Sequence, residues 1–194
     1  MNNFNWDTSF LVDFDLSTGY STTANTTKRV LSQMKDMYID IDAADTILKT
    51  QDPLIYEFHE LGCPERKGDL AFGTTIIYPG KIGDEYYMTK GHFHTILDTA
   101  EVYYTLSGEG YMLMENPEGD TLEQPLSKRQ AVYVPKRYAH RTVNTGSTPL
   151  VLFYTFAADA GHDYGTIETN GYHKLLIEKD NLPTFIDNPK WKQS

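Results

Sequence analysis

The chain has very little cysteine and no long apolar run. Cys63 is its single cysteine in 194 residues, so neither a disulfide within the chain nor a zinc site built from several thiolates can form. No apolar stretch approaches the roughly 18 residues that indicate a transmembrane helix. The start, "MNNFNWDTSFLVDFDL", has no basic segment followed by an apolar one, so no export signal is indicated and a cytoplasmic location is expected.

Basic residues are also in the minority. The chain has 17 Lys and Arg against 27 Asp and Glu, which gives a net charge of -10. Sequence-independent binding to a phosphate backbone therefore lacks its usual electrostatic basis. A small anion can still be held by local backbone N–H groups and hydroxyls. We expect a small-molecule partner, and neither nucleic acid nor a membrane.

The pattern along the chain predicts one domain with three parts. Residues 1–53 form an N-terminal arm that carries a short helix, because four apolar residues can share one helical face: Ala43, Ala44, Ile47 and Leu48. Residues 54–178 contain short alternating runs separated by Gly, Pro, Asn and Asp, which is typical of a β-sandwich or barrel. Residues 179–194 are predicted to be a tail that packs on the barrel or on a partner.

The stretch "TKGHFHTILDTAEVYYTLSGEG" contains two histidines one residue apart. In a strand, His92 and His94 project from the same face. Glu101 follows His94 by seven residues, an odd separation, so "TILDT" must contain a turn or bulge before a second strand begins. On that second strand Glu101, Tyr103 and Thr105 share a face, and "SGEG" predicts a hairpin that returns through "YMLME".

A fourth donor is needed to complete a metal site. Of the other histidines (His59, His140, His162 and His173), His140 is best placed. It follows the alternating run "AVYVPKRYA" and is expected where a strand turns out toward a loop. Three nitrogens and one carboxylate oxygen suit iron, nickel, manganese or zinc and leave room for water or substrate. An H-x-H pair alone is weak evidence for a metal, because solvated histidines on strands are common, so the metal prediction depends on all four donors together.

These residues carry a resemblance to a known family. The run "HFHTILDTAEVYYTLSG" resembles the first cupin motif, and "VYVPKRYAHRTVN" resembles the second. The longer strings "TTIIYPGKIGDEYYMTKGHFH", "YVPKRYAHRTVNTG" and "DAGHDYGTI" resemble the cupin-type phosphoglucose isomerases, and the similarity extends from about residue 28 to the closing "DNPKWK". The resemblance implies an all-β cupin fold, a jelly-roll barrel also called a double-stranded β-helix.

The resemblance also implies site residues and a cofactor. Four positions match the family's metal ligands: His92, His94, Glu101 and His140. One divalent metal per chain is implied, with iron expected and manganese, nickel, cobalt or zinc as alternatives. Seven positions match residues in or near the sugar-phosphate site: Tyr56, Thr75, Thr89, Gly91, Tyr103, His162 and Tyr164. Cupin isomerases are implied to be homodimers.

The chain departs from these patterns at a few positions. Cupin motifs often have glycine where this chain has Tyr86, Arg129 and Arg137. Phe156 stands where a tyrosine is expected in the isomerase family, so one hydroxyl near the substrate is missing. Weaker phosphate binding, or help from Tyr154 on the same strand face, would follow.

The implied activity is a metal-dependent interconversion of glucose 6-phosphate and fructose 6-phosphate, an intramolecular oxidoreduction used in glycolysis and gluconeogenesis. Glu101 is the candidate for proton transfer through an enediol or enediolate, and a hydride shift without a base is the rival mechanism. Two other functions stay open at this point: a noncatalytic sugar-binding cupin, because one fold supports many functions, and an iron-dependent oxygenase. Mannose 6-phosphate is a further candidate substrate, and no residue in the sequence favours or excludes it.

Overall fold

The computed structural model describes residues 4–192. Residues 1–3 of the predicted arm and 193–194 of the predicted tail lie outside this range. Within it the chain forms strands in the following order: β1 (Asn25–Val30), β2 (Leu54–Glu60), β3 (Leu70–Ile77), β4 (Lys81–Ile82), β5 (Glu85–Tyr86), β6 (Glu101–Ser107), β7 (Glu109–Glu115), β8 (Thr121–Ser127), β9 (Ala131–Val134), β10 (Ala139–Asn144), β11 (Leu150–Ala157), β12 (Lys174–Lys179) and β13 (Leu182–Asp187).

Helical structure is short. Helix α1 spans Ile41–Leu48 and α2 spans Gly165–Asn170, and two 3-10 turns, Leu31–Gln33 and Lys35–Met37, precede α1. The prediction of one short helix in the arm is confirmed by α1, whose first turn is capped by the Asp40 side chain, which accepts a hydrogen bond from the Ala43 N–H at 2.8 Å. No helix within residues 4–192 has the length and hydropathy that a membrane span requires.

Antiparallel sheets build the body of the molecule. A six-stranded sheet has the order β1-β2-β3-β11-β6-β9, and a three-stranded sheet has the order β10-β7-β8. Residues of both sheets join one core, in which Ile77, Met112 and Leu152 are fully buried. This arrangement confirms the prediction of an all-β jelly-roll barrel of the cupin type.

Strand β6 carries the predicted alternation. Glu101, Tyr103 and Thr105 are buried, whereas Val102 and Tyr104 are partly exposed. Because successive side chains of a strand point to opposite faces, the polar face of β6 is turned into the molecule.

The predicted hairpin between β6 and β7 is wrong. The strand β6 pairs with β11 and β9, whereas β7 pairs with β10 and β8 in the other sheet. The chain changes sheets at Gly108, which has φ +79 and at which a Cβ would lie 2.5 Å from the Pro149 carbonyl oxygen. Glycine permits this corner, and the sequence signal for a turn does not say to which sheet the next strand goes.

Two strands near the ends of the chain are not predicted by the sequence. Strand β1, in the predicted arm, pairs along its length with β2 at an edge of the six-stranded sheet, and "NTTKRV" has no hydrophobic alternation that would predict it. Strand β13, in the predicted tail, forms a hairpin with β12 through Asp180 and Asn181, both with positive φ, as two-residue hairpin turns of the I′ type require. The division of the chain at residues 53 and 178 stays a prediction.

Two of the positions where cupin motifs often have glycine have unusual backbone geometry. Arg129 and Arg137 adopt φ of 74° and 72°, a left-handed conformation that costs a non-glycine residue on the order of 1 kcal/mol. In both turns the backbone is held by hydrogen bonds, from the Arg129 N–H to the Thr105 carbonyl and from the Arg137 N–H to the Leu97 carbonyl. The arginines therefore occupy turns whose geometry favours glycine.

Candidate active site

A cavity of about 340 Å³ lies among β2, β3, β6, β10, β11 and the loops that follow β5 and β11. All seven predicted substrate-binding residues line it: Tyr56, Thr75, Thr89, Gly91, Tyr103, His162 and Tyr164. Three of the four predicted metal ligands also line it: His92, Glu101 and His140. The predicted site residues therefore meet in one place.

The four predicted metal ligands come from three segments. His92 precedes the turn at residues 95–98 and forms an isolated bridge with His140 in β10. The predicted turn in "TILDT" is confirmed, with the Thr99 N–H donating to the Ile96 carbonyl at 3.1 Å, and Glu101 then begins β6. His140 was expected at the end of a strand, which is wrong: it is the second residue of β10, after the turn at residues 135–138.

The donor atoms of this group lie close together. The Oε2 atom of Glu101 is 3.2 Å from Nε2 of His94 and 2.9 Å from Nε2 of His140, and one donor atom from each of the four residues lies within 4.8 Å of all the others. Yet Glu101 Oε2 and the three Nε2 atoms are buried without a hydrogen bond of acceptable geometry. Buried polar atoms normally have partners, so a cluster of this kind fits a cation shared among them.

Backbone carbonyls select the histidine tautomer that can bind a metal. Nδ1 of His94 lies 3.3 Å from the Thr99 carbonyl, and Nδ1 of His140 lies 3.5 Å from the Tyr138 carbonyl. Because a carbonyl only accepts, each Nδ1 carries the proton and each Nε2 keeps a lone pair directed at Glu101. Such outer hydrogen bonds are usual for metal-binding histidines.

Protonation states favour the same chemistry. Burial by itself raises the pKa of Glu101, but the electrostatic influence of His140 and then of His94 outweighs it and lowers the pKa to about 2. Burial, with repulsion from the neighbouring histidines, holds the pKa of His92 well below its usual value. A charged carboxylate and a neutral imidazole are the forms that bind a divalent metal, so these residues fit such an ion.

A second group of residues offers hydroxyls and a backbone N–H. The loop with Thr89 and Gly91 is attached to β10: the Thr89 N–H donates to the Thr142 carbonyl at 2.9 Å, and Thr89 Oγ1 accepts from the Thr142 N–H at 3.1 Å. Gly91 has φ +72, and a Cβ there would lie 2.5 Å from the Tyr172 hydroxyl. Only glycine fits this position without displacing a neighbour.

Aromatic residues surround the histidines. The His162 ring lies 4.5 Å from His92 and stacks on Tyr164, with 12° between the two planes. Burial, followed by the charge of Glu101, raises the pKa of Tyr103 well above its usual value, so its hydroxyl stays a donor. Burial also raises the pKa of Tyr164, to about 12.

Phe156 occupies the metal-binding end of the cavity. Its ring stacks on His94 at 5.4 Å and meets His162 edge-on at 5.3 Å. Tyr154, on the same strand face, stacks on Phe156 at 6.0 Å and also lines the cavity. The sequence analysis missed further lining residues, among them Phe58 and Glu60, which the alternation of β2 after Tyr56 would have indicated.

A jelly-roll barrel that holds three histidines and a glutamate inside defines a cupin. Residues 28–191 match the family model described as "Glucose-6-phosphate isomerase (GPI)". The chain belongs to the glucose-6-phosphate isomerase family, and the prediction of an isomerase of this family is confirmed.

Relatives from archaea and bacteria cover nearly the whole chain. The glucose-6-phosphate isomerase of Thermococcus kodakarensis is 45% identical over 94% of this chain and 96% of its own length. The enzyme of the same name from Pyrococcus furiosus is 44% identical over 95% and 97%, and that from Sinorhizobium medicae is 37% identical over 92% and 86%. Among solved structures, the oxalate decarboxylase of Bacillus subtilis at pH 4.6 matches with a TM-score of 0.43 and 21% identity, over 55% of this chain and 26% of that one.

Proposed function

We propose that the chain interconverts glucose 6-phosphate and fructose 6-phosphate in a metal-dependent reaction, with His92, His94, Glu101 and His140 as the metal ligands. The observation that carries this proposal is the convergence of four unpartnered donor atoms, all within 4.8 Å of one another, in a cavity of a chain from this isomerase family. Iron is the proposed metal, and manganese, nickel, cobalt and zinc suit the same donors. When bound, a divalent ion supplies Lewis-acid stabilisation of charge on the sugar oxygens.

Glu101 is the proposed proton-transfer group. It is buried beside the cavity, and its low pKa keeps it a carboxylate that can accept a proton. In the aldose-to-ketose direction the carboxylate takes the proton from C2 and returns it to C1, while a hydroxyl proton moves from O2 to O1. Tyr103 lies two residues after Glu101, on the same face of β6. Its hydroxyl stays protonated because its pKa is raised, so it can donate a hydrogen bond to a sugar oxygen.

Solvent exchange separates this mechanism from a hydride shift. If Glu101 carries the proton, turnover in deuterated water incorporates solvent deuterium at C1 or C2. A hydride that moves directly between C2 and C1 never leaves the substrate, so no solvent label enters. Product analysis by proton NMR at low conversion distinguishes the two results.

The phosphate is proposed to bind at the other group of residues, through the hydroxyls of Tyr56, Thr75 and Thr89 and the Gly91 N–H. These residues line the same cavity as the histidines, so a sugar phosphate can reach both groups. His162 and Tyr164 then close the space beside His92. Hydroxyls and amides provide an anion site in a chain whose net charge is negative.

A homodimer is also proposed, since the arm and the outer sheet face expose large apolar side chains, including Leu11, Leu16 and Tyr133. Sedimentation velocity at several concentrations tests it, and a single monomer boundary would contradict it. The cytoplasmic location stays a prediction.

The central experiment is metal removal and reconstitution. Protein stripped with a chelator is assayed for conversion of fructose 6-phosphate to glucose 6-phosphate, then reloaded separately with iron, manganese, nickel, cobalt and zinc. We expect activity to vanish on stripping and to return with metal. Filled sites without turnover would contradict the isomerase proposal, and oxygen consumption with iron would then favour an oxygenase.

A further inference from the structure

Arg141 is a buried cation next to the candidate active site but not in it. Only 2% of the residue is exposed. It lies in β10 between His140 and Thr142, both of which line the cavity. Because neighbouring side chains of a strand point to opposite faces, Arg141 points away from the cavity, into the layer behind β10.

The contacts of Arg141 are few and come from two loops. Its Nη2 donates to the Lys90 carbonyl at 2.9 Å, and its guanidinium lies 4.3 Å from the centre of the Tyr172 ring. The ion pairs found within residues 4–192 do not include this arginine, and its Nε is buried without a partner. Glu85 and Glu115 act on it only as longer-range charges. A buried cation without a close carboxylate is costly, so the position of Arg141 needs an explanation.

The hydrogen bond to Lys90 fixes the direction of the next N–H. The Lys90 carbonyl and the Gly91 N–H belong to one peptide unit, and the described chain has no cis peptide bonds. In a planar trans peptide these two groups point in opposite directions. Since the carbonyl points behind β10 to Arg141, the Gly91 N–H points toward the cavity. None of the turn and loop hydrogen bonds within residues 4–192 uses that N–H as donor.

We propose that Arg141 is a positioning residue for phosphate binding: it holds the peptide between Lys90 and Gly91 so that the Gly91 N–H donates to the substrate phosphate. This inference rests on the proposed function. The Tyr172 ring supports the same arrangement, since it stacks on the guanidinium while its hydroxyl meets the space beside Gly91. Arg141 itself does not touch the substrate.

The charge of Arg141 strengthens the effect. A charged donor on a carbonyl polarises the peptide and makes its N–H a stronger donor. In the buried layer behind β10 this polarisation is screened less than at the surface. A preoriented donor also needs no rearrangement when the anion arrives. The arginine therefore adds positive potential to a phosphate site from behind the strand.

Substitution of Arg141 separates phosphate binding from folding. In Arg141→Met we expect the KM for fructose 6-phosphate and the Ki for inorganic phosphate to rise together by about tenfold, the effect of weakening one charge-assisted hydrogen bond. We expect kcat to change by less than about twofold and metal content to stay the same. Arg141→Lys keeps a charged donor and should recover most of the phosphate affinity.

Glu115→Gln is the matched control: it removes a charge from the same layer, so Tm should fall while KM and Ki stay unchanged.

A measurement on the unmutated protein covers the outcome in which Arg141→Met fails to fold. In the zinc-loaded protein, which is diamagnetic, inorganic phosphate should shift the Gly91 amide proton downfield with saturation. In Arg141→Lys the same titration should still move this amide. A Gly91 amide that phosphate leaves unmoved, or a folded Arg141→Met protein with unchanged Ki, overturns the inference.

Failure of this inference differs from failure of the proposed function. If the unmutated protein shows no isomerase turnover with any metal, the proposed function fails, and the phosphate titration still tests the role of Arg141. If turnover is present and the Arg141→Met protein binds phosphate normally, only the inference fails.

Discussion

Within residues 4–192, Glu101 and Glu57 each lie in a buried group with histidine, and the two groups differ in how many unpartnered donor atoms converge. Glu101 faces His94 and His140 in the candidate active site. Glu57 shares a face of β2 with His59, at the place where β1 and the arm cover the sheet. Both glutamates are almost completely buried.

At Glu57 the neighbours are hydroxyls and an ammonium group. Its Oε1 accepts hydrogen bonds from the hydroxyls of Tyr20 and Tyr78 at 2.8 and 2.7 Å, and its Oε2 lies 3.6 Å from Nζ of Lys28. His59 Nδ1 lies 3.0 Å from the Thr26 hydroxyl, whereas His59 Nε2 and Glu57 Oε2 are buried without a hydrogen bond. Tyr20, Thr26 and Lys28 lie in the predicted arm, so this group, called the arm attachment below, joins the arm to β2.

At Glu101 the Oε2 atom faces histidine nitrogens instead. Oε2 and the Nε2 atoms of the three histidines have no hydrogen bond of acceptable geometry, and the four residues each place a donor atom within 4.8 Å of the others. Glutamate and histidine in a buried place therefore do not by themselves indicate a metal site. Convergence of several unpartnered lone pairs distinguishes the candidate active site from the arm attachment.

The largest difference between the two groups should appear in metal content. His140→Ala removes one of the four donors. Loss of a residue that only hydrogen-bonds a metal ligand already lowers metal affinity by 10–100-fold, so we expect His140→Ala to lower it by more than about a hundredfold. His59→Ala, the matched change at the arm attachment, should leave metal content unchanged. Elemental analysis after gel filtration measures both, and full occupancy in His140→Ala would remove it from the ligand set.

The next effect concerns turnover. Glu101→Gln should lower kcat by at least about a hundredfold, because general-base catalysis contributes 10²–10⁴, while part of the metal is retained. Glu57→Gln makes the same chemical change away from the cavity and should leave kcat and KM as they are. Steady-state kinetics at matched metal loading compares the two, and unmutated-like activity of Glu101→Gln would end its assignment as the base.

A smaller effect is expected in the phosphate group. Thr89→Val removes a hydroxyl from the cavity, and we expect the KM for fructose 6-phosphate to rise by about tenfold, the worth of one hydrogen bond to a charged group. Thr105→Val is a suitable control, since Thr105 is buried in β6 with an unpartnered hydroxyl and does not line the cavity. If both variants keep the original KM, the Thr89 hydroxyl is not used.

The smallest effect on function is expected at the arm attachment. Tyr78→Phe removes one hydrogen bond to the Glu57 carboxylate and should lower the free energy of unfolding by about 1.5–3 kcal/mol, with kinetics unchanged. Urea denaturation at pH 7 measures this loss. Equal stability of the two proteins would mean that the hydrogen bond contributes nothing net.

The pH dependence of this loss follows from the pKa of Glu57. Burial alone raises that pKa, but hydrogen bonds from Tyr78 and Tyr20 and the charge of Lys28 bring it below its usual value of 4.5. A carboxyl with a lowered folded-state pKa stabilises the fold above pH 4.5 and loses this contribution as the pH falls through the folded-state value. The stability gap between the unmutated protein and Tyr78→Phe should therefore narrow below pH 4.5, and a gap independent of pH would contradict this account.

Much of the candidate site could be predicted because it depends on local patterns. The one-residue spacing of His92 and His94 and the alternation from Glu101 to Tyr103 describe faces of strands, which short-range geometry determines. The cupin class and the isomerase family followed from long strings of residues around these positions. The helix α1 was predicted for the same reason, since its apolar residues repeat at helical intervals.

Other features depend on partners that are distant in sequence. The strand β1 has little hydrophobic alternation and exists because β2 offers it an edge, so nothing within "NTTKRV" predicts it. The chain leaves Gly108 for the other sheet because of packing against Pro149 and Leu150, 40 residues or more away. The basic cluster "KRYAHR", which ends in Arg141, is typical of a solvated rim, yet Arg141 is buried because it meets a carbonyl on another segment.

The sequence by itself therefore determined which residue types were available, their faces on the strands, and the family to which the chain belongs. The tertiary structure alone decided that Glu101 meets unpartnered nitrogens whereas Glu57 meets hydroxyls, and that Arg141 lies behind the Gly91 peptide. The physical reason is range: side-chain direction along a strand is set by adjacent bonds, but whether a buried polar atom finds a partner depends on chain segments that only folding brings together.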